Sequence, residues 1–247
     1  MLESESHQIH LSVIVPAFNE ETRIEKSLDR VVSFLQSQPY SSELIIIDDG
    51  SRDRTVERVR GLVGGLAGIR IHEHHRNRGK GEAVKTGMLL GNGAYLFFSD
   101  ADLSVPIETL PKFLALLKSE ADVVIGTRKN AEAVIEIHQP FFRELLGKAF
   151  TVLSNGILGL QVSDFTCGFK GFRRDAAKAL FSRQQLPDWS FDSEILYLAG
   201  RKGYRVREVA VVWRNDRETK VRLWRDILTS LLGLFRIRAY QALGRYR

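Results

Sequence analysis

Phe97-Phe98-Ser99-Asp100-Ala101-Asp102-Leu103-Ser104-Val105-Pro106 runs an apolar segment directly into two carboxylates at i and i+2. A short apolar run that ends so abruptly reads as a buried strand, with the acids at its carboxyl end. Two carboxylates placed this way can jointly hold a hard divalent cation, which shares its remaining positions with phosphate oxygens. Alone, Asp-x-Asp is a weak sign, because most such pairs are turn residues or helix caps. A second acidic strand end, Leu44-Ile45-Ile46-Ile47-Asp48-Asp49-Gly50-Ser51, changes the reading. Open α/β sheets bind ligands outside the carboxyl ends of their strands, so two acidic ends point to one pocket and to a nucleotide diphosphate.

Outward from these two stretches, strand and helix patterns alternate. Strands are expected at His10–Val15, Leu44–Ile47, Ile69–His72, Ala94–Phe98 and Asp122–Gly126. Asn19 is expected to cap a helix, with Glu20 and Glu21 suiting its positive end and Ile24, Leu28, Val31 and Leu35 keeping helical spacing. Further helices are expected from the Gly50–Thr55 turn to about Val63, over Lys80–Leu90 and over Ile107–Lys118. That order predicts an α/β fold: a mainly parallel central sheet with helices on both faces.

The bulk properties agree with an enzyme of one main domain. The chain has 247 residues, 44% hydrophobic and 27% charged, enough to bury a substantial core. Its single cysteine, Cys167, excludes an intramolecular disulfide and reads as a packing residue. The first residues lack the basic flank and apolar core of a signal peptide, so a reducing, cytoplasmic location is expected. The six histidines lack the spacing of a fixed metal site. Net charge is +6, but residues 1–200 carry 23 Lys and Arg against 26 Asp and Glu, whereas residues 201–247 carry 13 against 4. A cationic tail on a slightly acidic body suggests an anionic surface rather than nucleic acid as partner.

Four segments in order resemble the signature of family 2 glycosyltransferases: Val13-Ile14-Val15-Pro16-Ala17-Phe18-Asn19-Glu20, Asp48 to Thr55, Asn77-Arg78-Gly79-Lys80-Gly81, and Asp100-Ala101-Asp102. Asp164-Phe165-Thr166-Cys167-Gly168-Phe169-Lys170-Gly171-Phe172 and Trp189-Ser190-Phe191-Asp192-Ser193-Glu194 further resemble the branch that makes polyprenyl-phosphate sugars, including dolichyl-phosphate glucosyltransferases and mannosyltransferases. The similarity covers roughly residues 10–215. It implies the glycosyltransferase A fold over residues 1–218; residues 219–247, outside the similarity, read from their own charge and spacing as a basic amphipathic helical tail.

The resemblance also implies roles. Pro16, Ala17, Asn19, Glu20 and Asp49 would line the nucleotide pocket with Gly79, Lys80 and Asp100, while Asp48 is left between ligand contact and holding the turn. Asp100 and Asp102 would bind Mg²⁺ or Mn²⁺ together with the donor diphosphate, with Asp102 the first choice for direct coordination. Asp102, Asp192 and Arg128 are the catalytic candidates. Asp192 stands open between general base and acceptor orienter, and Glu194 between a site acid and a helix-start charge. Arg128, Arg143 and Lys170 are the acceptor-binding candidates, with Lys129 and Arg222 as further cations able to meet a phosphate. The implied reaction is inverting transfer of a hexose from UDP-glucose to a polyprenyl or dolichyl phosphate. The rivals are GDP-mannose as donor, a soluble or polysaccharide acceptor, and a non-catalytic membrane adaptor.

No stretch offers the ~20 apolar residues of a membrane span. Phe141–Leu160 and the tail are amphipathic instead. In the tail, Trp224, Ile227, Leu228, Leu231 and Phe235 fall on one helical face, with Arg222, Arg225, Thr229 and Arg236 opposite. A basic amphipathic helix with an aromatic anchor suits the surface of an anionic bilayer, which implies a peripheral protein on the cytoplasmic face of a membrane.

Overall fold

A computed structural model describes residues 9–137, 141–214 and 223–246, apart from the side chains of 137, 141–144 and 223–227. The first half is built as the sequence leads one to expect. It runs β1 (Leu11–Ala17), α1 (Ile24–Gln36), β2 (Ser42–Asp48), α2 (Thr55–Val63), β3 (Ile69–Glu73), α3 (Lys80–Leu90) and β4 (Tyr95–Ser99). After a 3₁₀ turn at Ile107–Thr109 come α4 (Leu110–Ser119) and β5 (Val123–Thr127). Every residue of β1 and β5 is buried, as strands covered by helices on both faces must be.

The second half is β6 (Val134–Ile137), α5 (Phe141–Leu158), β7 (Phe169–Arg173), α6 (Arg174–Phe181), α7 (Phe191–Arg201), β8 (Val206–Ala210), β9 (Val212–Arg214) and α8 (Leu223–Ala242). The seven-stranded sheet has the order β3-β2-β1-β4-β7-β5-β8, and β6 pairs with β9 in a small second sheet. All neighbours in the large sheet are parallel except β7, which runs antiparallel between β4 and β5. That reversed strand was not anticipated. Phe169-Lys170-Gly171-Phe172-Arg173 carries a lysine and a glycine where a central strand normally has β-branched residues.

Two cores cover the sheet. One packs α1, α2 and α4 through Ile24, Leu28, Val31, Val59 and Phe113; the other packs α3, α6 and α7 through Val84, Met88, Leu180, Phe191 and Ile195. Helix α8 joins the second core with Leu234 and Ile237, lying against α5 and α7. Leu231 is partly buried there, whereas Leu228 and Phe235 point outward, so the single apolar face read from the sequence is divided between core and surface. The tail residues Arg222, Arg225 and Trp224, and Ile227, lie outside the described side chains.

One local expectation is corrected. Asn19 does not cap α1, which begins at Ile24 with Arg23 at the N-cap position. Asn19 instead adopts a left-handed φ of 54°. Its side-chain oxygen accepts the Arg52 N–H at 2.8 Å and its own N–H donates to Ser51 Oγ at 2.8 Å. The Glu20 N–H donates to Thr55 Oγ1 at 2.7 Å, so the two turns that follow β1 and β2 are knitted into one surface.

Phe113, fully buried, meets Phe97 and Phe169 edge-on at 6.4 and 5.0 Å and anchors α4 to the strands leading to the acids. Phe113→Ala is expected to lower unfolding free energy by about 3–5 kcal/mol in urea titrations, the cost of deleting a buried aromatic.

Candidate active site

The carboxyl ends of β1, β2, β4 and β5 open on one side of the sheet, and β7 enters there with its amino end. Asp100 leaves β4 with its N–H bonded to the Gly168 carbonyl at 3.1 Å, and a Cβ at Gly168 would overlap the Asp100 carboxylate. Only glycine at 168 lets this acid lie flat on the neighbouring chain. Asp102 follows in a tight turn in which Leu103 takes a φ of 48° and the Ser104 N–H donates to Asp102 Oδ1 at 2.9 Å. A branched side chain in that backbone region stores strain, which the surrounding turn must hold.

Lys80, the first residue of α3, places its Nζ 2.6 Å from Asp100 Oδ1 and 4.5 Å from the centre of the Trp189 ring. Burial alone would lower this lysine's pKa; the charges of Asp100, Asp192 and Asp102 outweigh burial and raise it. Gly79, with φ at 101°, caps α3 where any Cβ would collide with the Pro187 carbonyl. The Asn77–Gly81 stretch therefore brings a cation to Asp100 by packing α3 against residues 187–191.

Beneath these groups lies a buried pair. Lys170 of β7 is fully enclosed, donating to Asp192 Oδ1 at 2.5 Å and to the Cys167 carbonyl at 2.6 Å. Lys170 is thus no surface cation: Asp192 and the Cys167 carbonyl occupy its ammonium. Burial pushes the Asp192 carboxyl up, with Lys170 and Lys80 opposing. Cys167 is buried, its thiol pushed by that burial to about 11, which suits the packing role read from the sequence.

Arg128 follows β5 and is clamped side-on. Its Nε and Nη2 donate to Asp164 Oδ2 and Oδ1 at 2.7 and 2.9 Å, Nη2 also reaches Thr166 Oγ1 at 2.9 Å, and the Trp213 ring centre lies 5.4 Å away. Among the described residues its Nη1 end makes no hydrogen bond, so two N–H donors remain for a ligand. Burial would raise the Asp164 pKa, but the charge and hydrogen bonds of Arg128 win and hold it well below the carboxylate range. Lys129 turns away, donating to the Gly147 carbonyl at 2.9 Å and to Thr151 Oγ1 in α5.

The remaining sequence candidates are placed as follows. Pro16 and Ala17 close β1, and the Ala17 carbonyl accepts the Asp49 N–H at 2.8 Å. Asp48 holds its turn, its Oδ2 accepting the N–H groups of Gly50 and Ser51. The buried Asp49 carboxylate accepts from His74 Nδ1 at 2.8 Å, the Arg78 N–H at 2.9 Å and the Gly79 N–H at 2.8 Å. It ties β2 to the turn before Lys80, and this is the structural use of His74. Glu20 is paired with Arg23. Glu194 is buried on α7, where it accepts the N–H groups of Gln185 and Leu186 and the Tyr246 hydroxyl. The Arg143 side chain and Arg222 lie outside the described residues. Trp189 and Asp164 stand inside stretches that the sequence singles out, but their roles depend on contacts with Lys80 and Arg128, far away in the chain.

Asp102 stands apart among the four acids of the pocket. Asp100, Asp164 and Asp192 each have a cation in contact, whereas among the described residues none touches Asp102. Burial, then the charge of Asp100, raises its pKa. The pair thus offers hard oxygen donors and negative charge seeking a cation, and Lys80 stands in for one at Asp100. Among the described residues no third His, Cys, Asp or Glu completes a cluster. The donor set therefore fits a hard divalent ion that takes further ligands from phosphate and water.

A mainly parallel sheet with acids and their lysine and arginine partners gathered at its carboxyl end has the form of the ligand pocket of an α/β enzyme. The glycosyl transferase family 2 model matches residues 12–181, and the chain belongs to that family. It is a glycosyltransferase with the glycosyltransferase A fold. Dolichyl-phosphate beta-glucosyltransferases from Dictyostelium discoideum and Drosophila melanogaster are 33% and 34% identical to it, over 96% and 98% of this chain and 76% and 78% of theirs. Glucosyl-3-phosphoglycerate synthase from Mycobacterium tuberculosis in complex with UDP superposes with a TM-score of 0.69 at 22% identity, covering 94% of this chain and 80% of that one. Its complex with Mn²⁺ and UDP-glucose gives a TM-score of 0.67 at 20% identity, covering 92% and 79%.

Because burial and the charge of Asp100 penalise the ionised form of Asp102, Asp102→Asn is expected to raise the melting temperature at pH 7 by about 2 °C, the effect of roughly 1 kcal/mol in a chain of this size. Asp164→Ala has the opposite sign: leaving Arg128 unpaired is expected to cost about 3 kcal/mol by urea denaturation. The Asp164 contribution is present above the ordinary carboxylate pKa and is lost as pH falls towards its depressed value, so the difference between wild type and Asp164→Ala should shrink in acid.

Proposed function

We propose that the chain transfers glucose, with inversion, from UDP-glucose to a dolichyl or other polyprenyl phosphate. The observation that carries this reading is the Asp100–Asp102 pair at the end of β4, with Lys80 on one acid and, among the described residues, no cation in contact with the other. Support for the sugar and the lipid comes from relatives named dolichyl-phosphate beta-glucosyltransferase over nearly the whole chain.

Asp100 and Asp102 would hold Mg²⁺ or Mn²⁺; when bound, such an ion offsets the charge that grows on the departing diphosphate. Lys80 adds positive charge beside the same oxygens. Pro16, Ala17, Asn19 and Glu20, on the surface knitted to the β2 turn, line the nucleotide side, with Asp49 and Gly79 shaping the turn that delivers Lys80. On the acceptor side, Arg128 is pre-oriented by Asp164 with Nη1 free to meet a phosphate. The lipid phosphate, whose second pKa is near about 6, is mostly ionised at neutral pH. Its oxygen attacks the anomeric carbon, the bond from that carbon to the diphosphate oxygen breaks, and UDP leaves with the electron pair. No proton need be removed from such a nucleophile. Asp192, held by Lys170, accordingly orients the acceptor and the sugar rather than acting as an obligatory base.

Among the described residues no helix is long and apolar enough to cross a membrane. The lipid is reached instead at the face where α5 exposes Leu145 and Val152 and α8 exposes Leu228, Leu232 and Phe235. Lys129 links α5 to the Arg128 turn, so this face borders the acceptor side. Together with the excess of Lys and Arg beyond residue 200, it suits the anionic surface of a membrane, on its cytoplasmic side.

Transfer of labelled glucose from UDP-glucose to a short-chain polyprenyl phosphate tests the reading. Asp102→Ala is expected to lower the rate about 10²–10³-fold, the usual loss on removing one electrostatic stabiliser. Transfer from GDP-mannose alone, or only to free sugar alcohols, would replace the donor or the acceptor proposed here. Leu232→Ser/Phe235→Ser should reduce co-sedimentation with vesicles containing phosphatidylserine while leaving the fold intact.

A further inference from the structure

Helix α8 touches the segment between α6 and α7 at three points, and the residues after it add a fourth contact, to α7. Gly233 lies so close to Ser190 that a Cβ at 233 would overlap its side chain. Ser190 Oγ in turn donates to the Thr229 carbonyl at 3.4 Å. Arg236 Nη1 stands 3.8 Å from Asp188 Oδ2. Beyond the end of the helix, the Tyr246 hydroxyl donates to Glu194 Oε1 at 2.6 Å. Glu194 is the carboxylate that holds the Gln185 and Leu186 N–H groups at 3.0 and 2.9 Å.

The segment so held feeds the site directly. The Pro187 carbonyl accepts the Glu82 N–H at 3.1 Å and abuts Gly79, which sets the start of α3 and with it Lys80. Trp189 faces the Lys80 ammonium, and Asp192 bonds Lys170. Residues 182–190 form neither a helix nor a strand, so their conformation rests on such point contacts. Glu194 is fully buried: its carboxylate without the Tyr246 donor would be an under-satisfied charge in the core.

We infer that α8 is a clamp on residues 185–192, and that Tyr246 and Gly233 are positioning residues for Asp192 and for the Lys80–Trp189 contact. The inference rests on the reading of this pocket as a donor site only for its effect on turnover.

Amide hydrogen exchange of residues 185–192, with KM and kcat for UDP-glucose, tests it in the full chain. The variants are Tyr246→Phe, Gly233→Ala and Gly233→Ala/Ser190→Gly, the last of which removes the side chain that the added methyl group would strike. Val31→Ala, a truncation in the core on the opposite face of the sheet, controls for a general loss of stability. Tyr246→Phe, which loses one charge-assisted hydrogen bond, and Gly233→Ala, whose methyl group strikes Ser190, are each expected to speed exchange in 185–192 about tenfold and to raise donor KM several-fold with less change in kcat. The double variant, which relieves the clash but gives up the Ser190–Thr229 contact, should recover both readouts in part, and Val31→Ala should move neither. Unchanged exchange in both single variants, or faster exchange with wild-type KM and kcat, overturns the clamp. If Gly233→Ala does not fold, Tyr246→Phe carries the test by itself. Should the wild type turn over no nucleotide sugar while exchange follows the expected pattern, the donor reading fails and the clamp stands.

Discussion

Four carboxylates gathered at one end of a sheet repel one another, and the arrangement of the pocket follows from how that repulsion is offset. Lys170 neutralises Asp192 from below, Arg128 neutralises Asp164 from the side, and Lys80 neutralises Asp100 from the start of α3. Each cation comes from a different element, so charge as well as packing ties α3 to the end of β4, the turn after β5 to the segment before β7, and β7 to α7. Asp102 is the acid that no described lysine or arginine contacts, and in the transfer proposed here its charge is what a divalent ion would meet. With the role proposed for Asp102, stability and function would pull in opposite directions at this residue, as they commonly do where a site is pre-organised for a ligand.

Much of this was legible in the sequence because it is local. Strands β1 to β5 and the helices between them announce themselves by apolar runs, caps and turns, and the paired acids follow directly from where β4 stops. Lys80 is placed in the pocket by the family resemblance, since the Asn77–Gly81 stretch taken alone reads equally well as a solvated basic turn. The rest depends on partners distant in the chain. Strand β7 escaped notice because Lys170 looks incompatible with a central strand until Asp192, on another element, is seen to receive it. Asn19 reads as a helix cap because its chemistry suits one, yet Ser51 and Arg52 claim it and α1 starts later. Glu194 looks like a helix-start charge, and only the fold shows Tyr246 arriving to donate to it.

Helices α5 and α8 combine two tasks. Their inner faces complete the second core and hold the Arg128 turn and the 185–192 segment, while their outer faces present leucine, valine and phenylalanine to the surroundings. A lipid-phosphate acceptor demands such a juxtaposition, because its reactive group must enter a charged pocket while its chain stays in an apolar medium. The basic excess of the last residues, which first suggested a separate appendage, belongs in part to a helix built into the body.

The account stands on the capacity of Asp100 and Asp102 to hold a divalent ion with a nucleotide diphosphate. Electron paramagnetic resonance titration of Mn²⁺ measures this directly, with and without UDP, in the wild type and in Asp102→Asn. The account predicts one bound ion in the wild type, bound more tightly when UDP is present, and loss of that UDP-linked binding in the variant. Equal Mn²⁺ binding by wild type and variant, or binding indifferent to UDP, would contradict it.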